Sequence, residues 1–115
     1  MKLKIDWALA LLLSLGCSAF AATPDKPRLL ELGADRCVPC TMMQPILAEL
    51  KKEYAGKVRI DFIDVWKNPE EARRYRVRSI PTQVFFDRKG QEVFRHLGFY
   101  SKDAIVRKLK EMGVR

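Results

Sequence analysis

Apolar residues along this chain change their spacing from one segment to the next, and each change marks an element. Arg28 to Gly33, reading RLLELG, is a short apolar run ended by glycine and predicts a buried strand. From Val38 to Tyr54 the period lengthens. Met42, Ile46, Leu47 and Leu50 fall at i, i+4, i+5 and i+8, while Gln44, Glu49, Lys51 and Lys52 fill the opposite side. That pattern predicts an amphipathic helix. Pro45 inside it should kink it, because proline lacks a backbone donor and crowds the carbonyl four residues back. Gly56 is the expected C-terminal cap.

Lys57 to Trp66 alternates Val58, Ile60 and Phe62 and then runs apolar, which predicts a second strand. Asn68-Pro69-Glu70-Glu71 should open a short helix ending before Val77, with Asn68 as N-cap and Pro69 at the first helical position. Thr82 to Phe86 and Glu92 to Leu97 read as two strands joined by the turn Asp87-Arg88-Lys89-Gly90. Ser101 should cap a last helix with Ala104, Ile105, Leu109 and Met112 on its inner face. The order β-α-β-α-β-β-α requires a crossover between parallel strands and helices on the sheet faces, so the expected class is α/β.

With 115 residues the chain has the length of one domain. Its start is expected to be a targeting segment. Lys2 and Lys4 are basic, Trp7 to Leu15 is apolar save Ser14, and Ala19-Phe20-Ala21 supplies small residues where a signal peptidase reads. The apolar run is too short for a bilayer span, which takes about 20 residues. The expected organisation is a signal peptide at 1–21, a tail at 22–27 and the domain at 28–115, with export to the periplasm. Attachment by an uncleaved signal or by lipid on Cys17 is the alternative.

Export changes the cysteine count, because only Cys37 and Cys40 then remain, each with no partner but the other. Disulfides persist in exported compartments. Without Lys2, Lys4 and Asp6 the formal charge goes from +8 to +7. The positive residues are spread over Arg28, Arg59, Lys67, Arg95 and Arg107 besides the RRYRVR cluster at 73–78. Such spreading points to a solvated basic surface, and no nucleic-acid partner is expected.

Cys37-Val38-Pro39-Cys40 can be read three ways. As a staple it closes a loop of four residues, worth only about 2 kcal/mol on the chain-entropy model. As a metal clip it is short of ligands. Zinc takes four, and His96 is the only histidine, while Cu(I) would need Met42 or Met43 as well. As a chemical tool it has a physical basis: Cys37 precedes a helix whose free amides and positive end stabilise a thiolate. Cys40, one turn on, can resolve a disulfide formed at Cys37. Pro39 suits the first turn, where a missing N–H costs nothing. Farther on, Arg78-Ser79-Ile80-Pro81-Thr82 puts a proline at the mouth of a strand, where a cis bond would make a tight turn.

Together these motifs resemble the thioredoxin superfamily over residues 28–112. The resemblance rests on CVPC between strand and helix, PILAEL with its Pro45, Asn68-Pro69, and SIPT with Pro81. It implies a thioredoxin-like fold, a four-stranded mixed sheet flanked by helices, without the family's first strand and helix. It also implies that Pro81 is cis and packs against the cysteines, with the Ile80 backbone pairing a client peptide beside Arg36, Val38 and Pro39. Glu31 takes the place of the family's buried aspartate, a candidate proton relay to Cys40. Departures are Arg36 for the aromatic residue before the first cysteine, Val38 for glycine, and Phe62 for the lysine near the buried acid. No soluble cofactor is implied beyond the redox disulfide Cys37–Cys40. Val38-Pro39 resembles the motif of exported TlpA-like reductases that serve cytochrome assembly. That likeness implies a monomeric reductant of protein disulfides, apocytochrome c among them, re-reduced by a CcdA- or DsbD-type membrane electron carrier. A redox-inert copper carrier is the rival.

Overall fold

Strand β1 (Arg28–Gly33) is apolar because it lies inside the sheet and is covered on both faces. The computed structural model describes residues 25–115. The expected signal peptide, its cleavage after Ala21 and Cys17 lie outside the described residues. After β1 come α1 (Val38–Glu53), β2 (Arg59–Asp64), α2 (Pro69–Arg74), β3 (Thr82–Phe86), β4 (Glu92–Leu97) and α3 (Lys102–Glu111). The four strands lie in the order β2-β1-β3-β4, with β1 parallel to β2 and the other pairs antiparallel. This is the expected thioredoxin-like α/β architecture. Among the described residues no helix is long and apolar enough to cross a membrane.

Alternation along β1 divides the core in two. Leu30 and Leu32 meet Val84 and Val65 on one face, with Ala72 of α2 packed against them. Leu29 points to the other face, where Ile60 and Phe85 meet Met43, Leu47 and Leu50 of α1 and Ile105 and Leu109 of α3. Each fully buried leucine of this kind contributes about 1.5–3 kcal/mol.

Three local expectations need correction. The buried stripe of α1 is Cys40, Met43, Leu47 and Leu50, and Met42 is 52% exposed. Spacing alone allowed the stripe to be drawn one residue early. Strand β2 is shorter than Lys57–Trp66. Asp64 Oδ1 accepts the N–H groups of Trp66 and Lys67 at 2.9 and 3.0 Å, so those donors turn away from the ladder. At its other end, Lys57 and Val58 donate to the Tyr54 carbonyl. Asn68 does precede α2, yet its amide donates to the Asp64 carbonyl at 2.9 Å and makes no side-chain cap. Ser101 caps as expected, its hydroxyl accepting from Ala104 N–H at 3.2 Å.

Candidate functional site

The C-terminal ends of β1 and β2, the start of β3 and the end of β4 all lie at one end of the sheet. There β1 passes through Ala34-Asp35-Arg36 into α1, and Cys37 is the residue that caps the helix. The Cys37 sulfur accepts the Cys40 N–H at 3.3 Å, and its carbonyl accepts from Thr41 N–H and hydroxyl at 2.9 and 2.8 Å. Pro39 stands in the first turn. Cys37 and Cys40 are joined as a disulfide. Cys37 is half-buried, Cys40 is 1% exposed, Arg36 is exposed and Val38 is 73% exposed.

The two sulfurs therefore present different faces. In the reduced protein at mildly acidic pH, iodoacetamide should label Cys37 first, and mass mapping of the adduct should find Cys40 largely unmodified. Labelling of Cys40 first would reverse the two roles.

Behind Cys40 the sheet comes close. A Cβ added to Gly33 would stand 3.2 Å from the Cys40 sulfur and 3.2 Å from the Phe62 ring. Phe62, where the resemblance led us to look for a lysine, thus packs beside the buried cysteine. Gly33→Ala should cost about 1–2 kcal/mol by overpacking, read as a lower urea midpoint, because the sulfur is tethered and only the Phe62 ring can yield.

Glu31 lies two residues before Gly33 and is fully buried. It accepts one hydrogen bond, from the Gln83 amide at 3.3 Å, and its Oε2 has no partner. Burial pushes its carboxyl up to about 8, and the Gln83 N–H pulls weakly the other way. The Gln83 oxygen is in turn 2.8 Å from His96 Nδ1, and the His96 ring stacks on Tyr100 with centroids 4.0 Å apart. The sequence alone does not single out Gln83, and it offers His96 only as a lone histidine short of a zinc site. The only available signal was a glutamine inside the apolar strand TQVFF.

Pro81 is buried and its bond to Ile80 is cis. Thr82 pairs with Leu32, which sets Pro81 at the same sheet end as Gly33 and the cysteine turn. The Pro81 carbonyl accepts the Gly98 N–H at 2.7 Å. Upstream, Arg76 adopts a left-handed backbone (φ 53°), and the Arg95 guanidinium holds the carbonyls of Tyr75 and Arg76 at 2.8 and 3.4 Å.

The methionines considered for copper separate. Met43 is fully buried and its sulfur accepts the Tyr100 N–H at 3.4 Å, whereas Met42 is exposed. Among the described residues no group of three or more His, Cys, Asp or Glu side chains is placed to hold a metal ion.

Comparison with known proteins decides the family. The thioredoxin family model matches residues 18–111. The chain belongs to the thioredoxin family. It is similar to the thioredoxin of Mycobacterium bovis, 40% identical over 88 residues, which cover 76% of this chain and 75% of that one. Similarity to the thioredoxin of Staphylococcus aureus is 42% over 76 residues, covering 66% of this chain and 72% of the relative. A bifunctional thioredoxin reductase/thioredoxin of Mycobacterium leprae is 39% identical over 88 residues, 76% of this chain but 19% of its own length. The Cys37–Cys40 disulfide of this thioredoxin-family chain is accordingly the redox centre of a thiol–disulfide oxidoreductase.

Proposed function

We propose that the protein reduces protein disulfides in an exported compartment. The observation that carries the reading is the redox pair itself, one sulfur half-exposed at a helix start and the other shielded. The Cys37 thiolate attacks one sulfur of a client disulfide, and the second client sulfur leaves as a thiolate. Cys40 then gives its proton to the Glu31 carboxylate, attacks the Cys37 sulfur, and releases the first client sulfur. Two electrons pass to the client and Cys37–Cys40 is left oxidised. The next reduction reverses the proton: a donor thiolate attacks Cys37, and Cys40 departs with the proton from Glu31.

The client docks at the sheet end where Cys37 emerges. Ile80 offers its backbone as a strand edge to the client chain, with buried Pro81 fixing the loop. Exposed Val38 opens α1 at that end, and exposed Leu97 ends β4 there, opposite Thr82 in the register. Arg36 sets a positive charge before the first cysteine, and Pro39 shapes the first turn of α1.

The reductive direction follows from Val38-Pro39. Neither residue brings a charge to the motif, whereas oxidising members of the superfamily gain stability in the reduced form from one. The N-terminal pattern supports export, and with it the TlpA-like assignment, a CcdA- or DsbD-type membrane electron donor and apocytochrome c as a client class. A thioredoxin reductase is the alternative donor, favoured by the Mycobacterium leprae relative named for both activities. Intact mass of the protein in each fraction of its own cells separates the two settings: an N-terminus at Ala22 is expected, and retention of Met1 through Ala21 in the soluble cytoplasmic fraction speaks for the second donor.

Turnover tests the activity. The reduced protein, supplied with dithiothreitol, should reduce a disulfide-bonded polypeptide catalytically. Stoichiometric Cu(I) uptake without disulfide turnover would favour the copper-carrier reading.

A further inference from the structure

Glu31, Gln83 and His96 form a row across the sheet. Glu31 pairs with Gln83 in the β1–β3 register, and Gln83 pairs with His96 in the β3–β4 register. The row begins beside the strand position that touches Cys40 and ends on the edge strand, where His96 is half-buried. Gln83 is fully buried, as Glu31 is. Burying an amide beside a carboxyl with one oxygen unpartnered destabilises the fold, because the orphaned oxygen loses its water and gains nothing in return. Packing therefore gives no reason for the row. Among the described residues, apart from the Glu31–Gln83 bond itself, no Lys, Arg, Asp or Glu side chain hydrogen-bonds to Gln83, His96 or Glu31.

Resting on the reading of Glu31 as the proton acceptor for Cys40, we propose that Gln83 and His96 are positioning residues that switch Glu31 between its two protonation forms by a flip of the Gln83 amide. An amide has a donor end and an acceptor end, and each end faces one titratable group. In the first arrangement Gln83 Nε2–H donates to the Glu31 carboxylate, and Gln83 Oε1 accepts from His96 Nδ1–H. In the second the amide is reversed. The Glu31 carboxyl O–H donates to Gln83 Oε1, and Gln83 Nε2–H donates to His96 Nδ1, whose ring proton now sits on Nε2.

Protons balance between the two. Glu31 gains one, taken from the Cys40 thiol. The imidazole keeps its count and exchanges an Nδ1 proton for an Nε2 proton through solvent at the sheet edge. Each arrangement satisfies both ends of the amide, so the carboxyl can change charge without stranding either end of the buried Gln83. A doubly protonated His96 has no lone pair at Nδ1 and permits only the first arrangement, which holds Glu31 in its proton-accepting form. The Tyr100 stack fixes the ring plane for the exchange.

The test follows the resolving step alone. The full-length protein, loaded at Cys37 as a mixed disulfide with 5-thio-2-nitrobenzoate, releases the coloured thiol when Cys40 attacks, and the rate is followed from about pH 5.5 to about pH 9, a span that brackets the raised Glu31 carboxyl. His96→Phe keeps a ring on Tyr100 but removes the nitrogen. It should slow release about tenfold near neutral pH, a share of the hundredfold or more that proton transfer commonly contributes, and move the profile to higher pH. His96→Asn, with a donor and an acceptor near the Nδ1 position, should recover the rate to within about threefold. In a Glu31→Gln background His96→Phe should add nothing, since both act through one proton. Circular dichroism and a thermal melt of each variant separate misfolding from a chemical effect. A His96→Phe profile that overlays the wild type, or an equal slowing in the Glu31→Gln background, overturns the proposal while leaving the disulfide chemistry intact. A wild-type protein that releases no thiol overturns the functional reading itself.

Discussion

Cys40→Ser should turn the protein into a trap. Attack by Cys37 needs only its own thiolate, so the first bond exchange proceeds. Resolution has lost its nucleophile, and the client stays covalently attached to Cys37. The introduced hydroxyl fits the buried space left by the sulfur, so the fold should persist. Turnover should fall by about a thousandfold or more, the scale of loss when one member of a covalent reacting unit is removed. Non-reducing electrophoresis of an extract of the source cells should show adducts that vanish on adding dithiothreitol, and Cys37→Ser should form none. If Cys40→Ser captures no client while Cys37→Ser does, Cys40 is the attacking sulfur and the site has been assigned backwards.

Glu31→Gln should change both rate and stability, in a direction set by its raised carboxyl. Burial lifts this group from 4.5 to about 8. Between those values the native state holds a proton that the unfolded chain has released. Stability from this group is therefore complete below about pH 4.5 and declines as pH rises, until the loss levels off above about 8. The substituted amide cannot ionise and escapes that loss. The variant should gain on the wild type by on the order of 4 kcal/mol on going from about pH 5 to about pH 9, since each tenfold difference in proton affinity between the folded and unfolded states is worth about 1.4 kcal/mol. Urea titrations at the two values measure it. A difference that is constant with pH would mean that Glu31 titrates near its ordinary value. The same substitution should slow resolution by Cys40 about a hundredfold near neutral pH, because the buried sulfur then lacks its proton acceptor.

The sheet was legible in the sequence to a high degree, and the reason is local. Strands β1, β3 and β4 occupy the residues that the apolar runs and the turn at Asp87–Gly90 indicated. A short apolar strand bounded by glycine or a turn leaves little choice of limits. Helix α1 was legible as a helix but not in its phase. Cys40, Met43, Leu47 and Leu50 were confused with a stripe through Met42, because Met42 and Met43 are equally apolar and only the packing of Met43 under Tyr100 chooses between them. The cysteines, Pro81 and Glu31 could be singled out from motif and position. Gln83 and His96 could not, because a polar residue in a strand usually faces water. Only the pairing of three strands puts Glu31, Gln83 and His96 side by side, and register between distant strands is not written in any one of them.

The reductive role is open to one direct measurement, the reduction potential of the Cys37–Cys40 couple. Equilibration of the full-length protein in graded thiol–disulfide buffers, followed by alkylation and separation of the two forms, supplies it. An uncharged Val38-Pro39 pair and a buried Glu31 lead us to expect a value near that of thioredoxin, about −270 mV. A value near about −120 mV, that of a strong disulfide donor, would contradict the account and make the protein an oxidant of its clients.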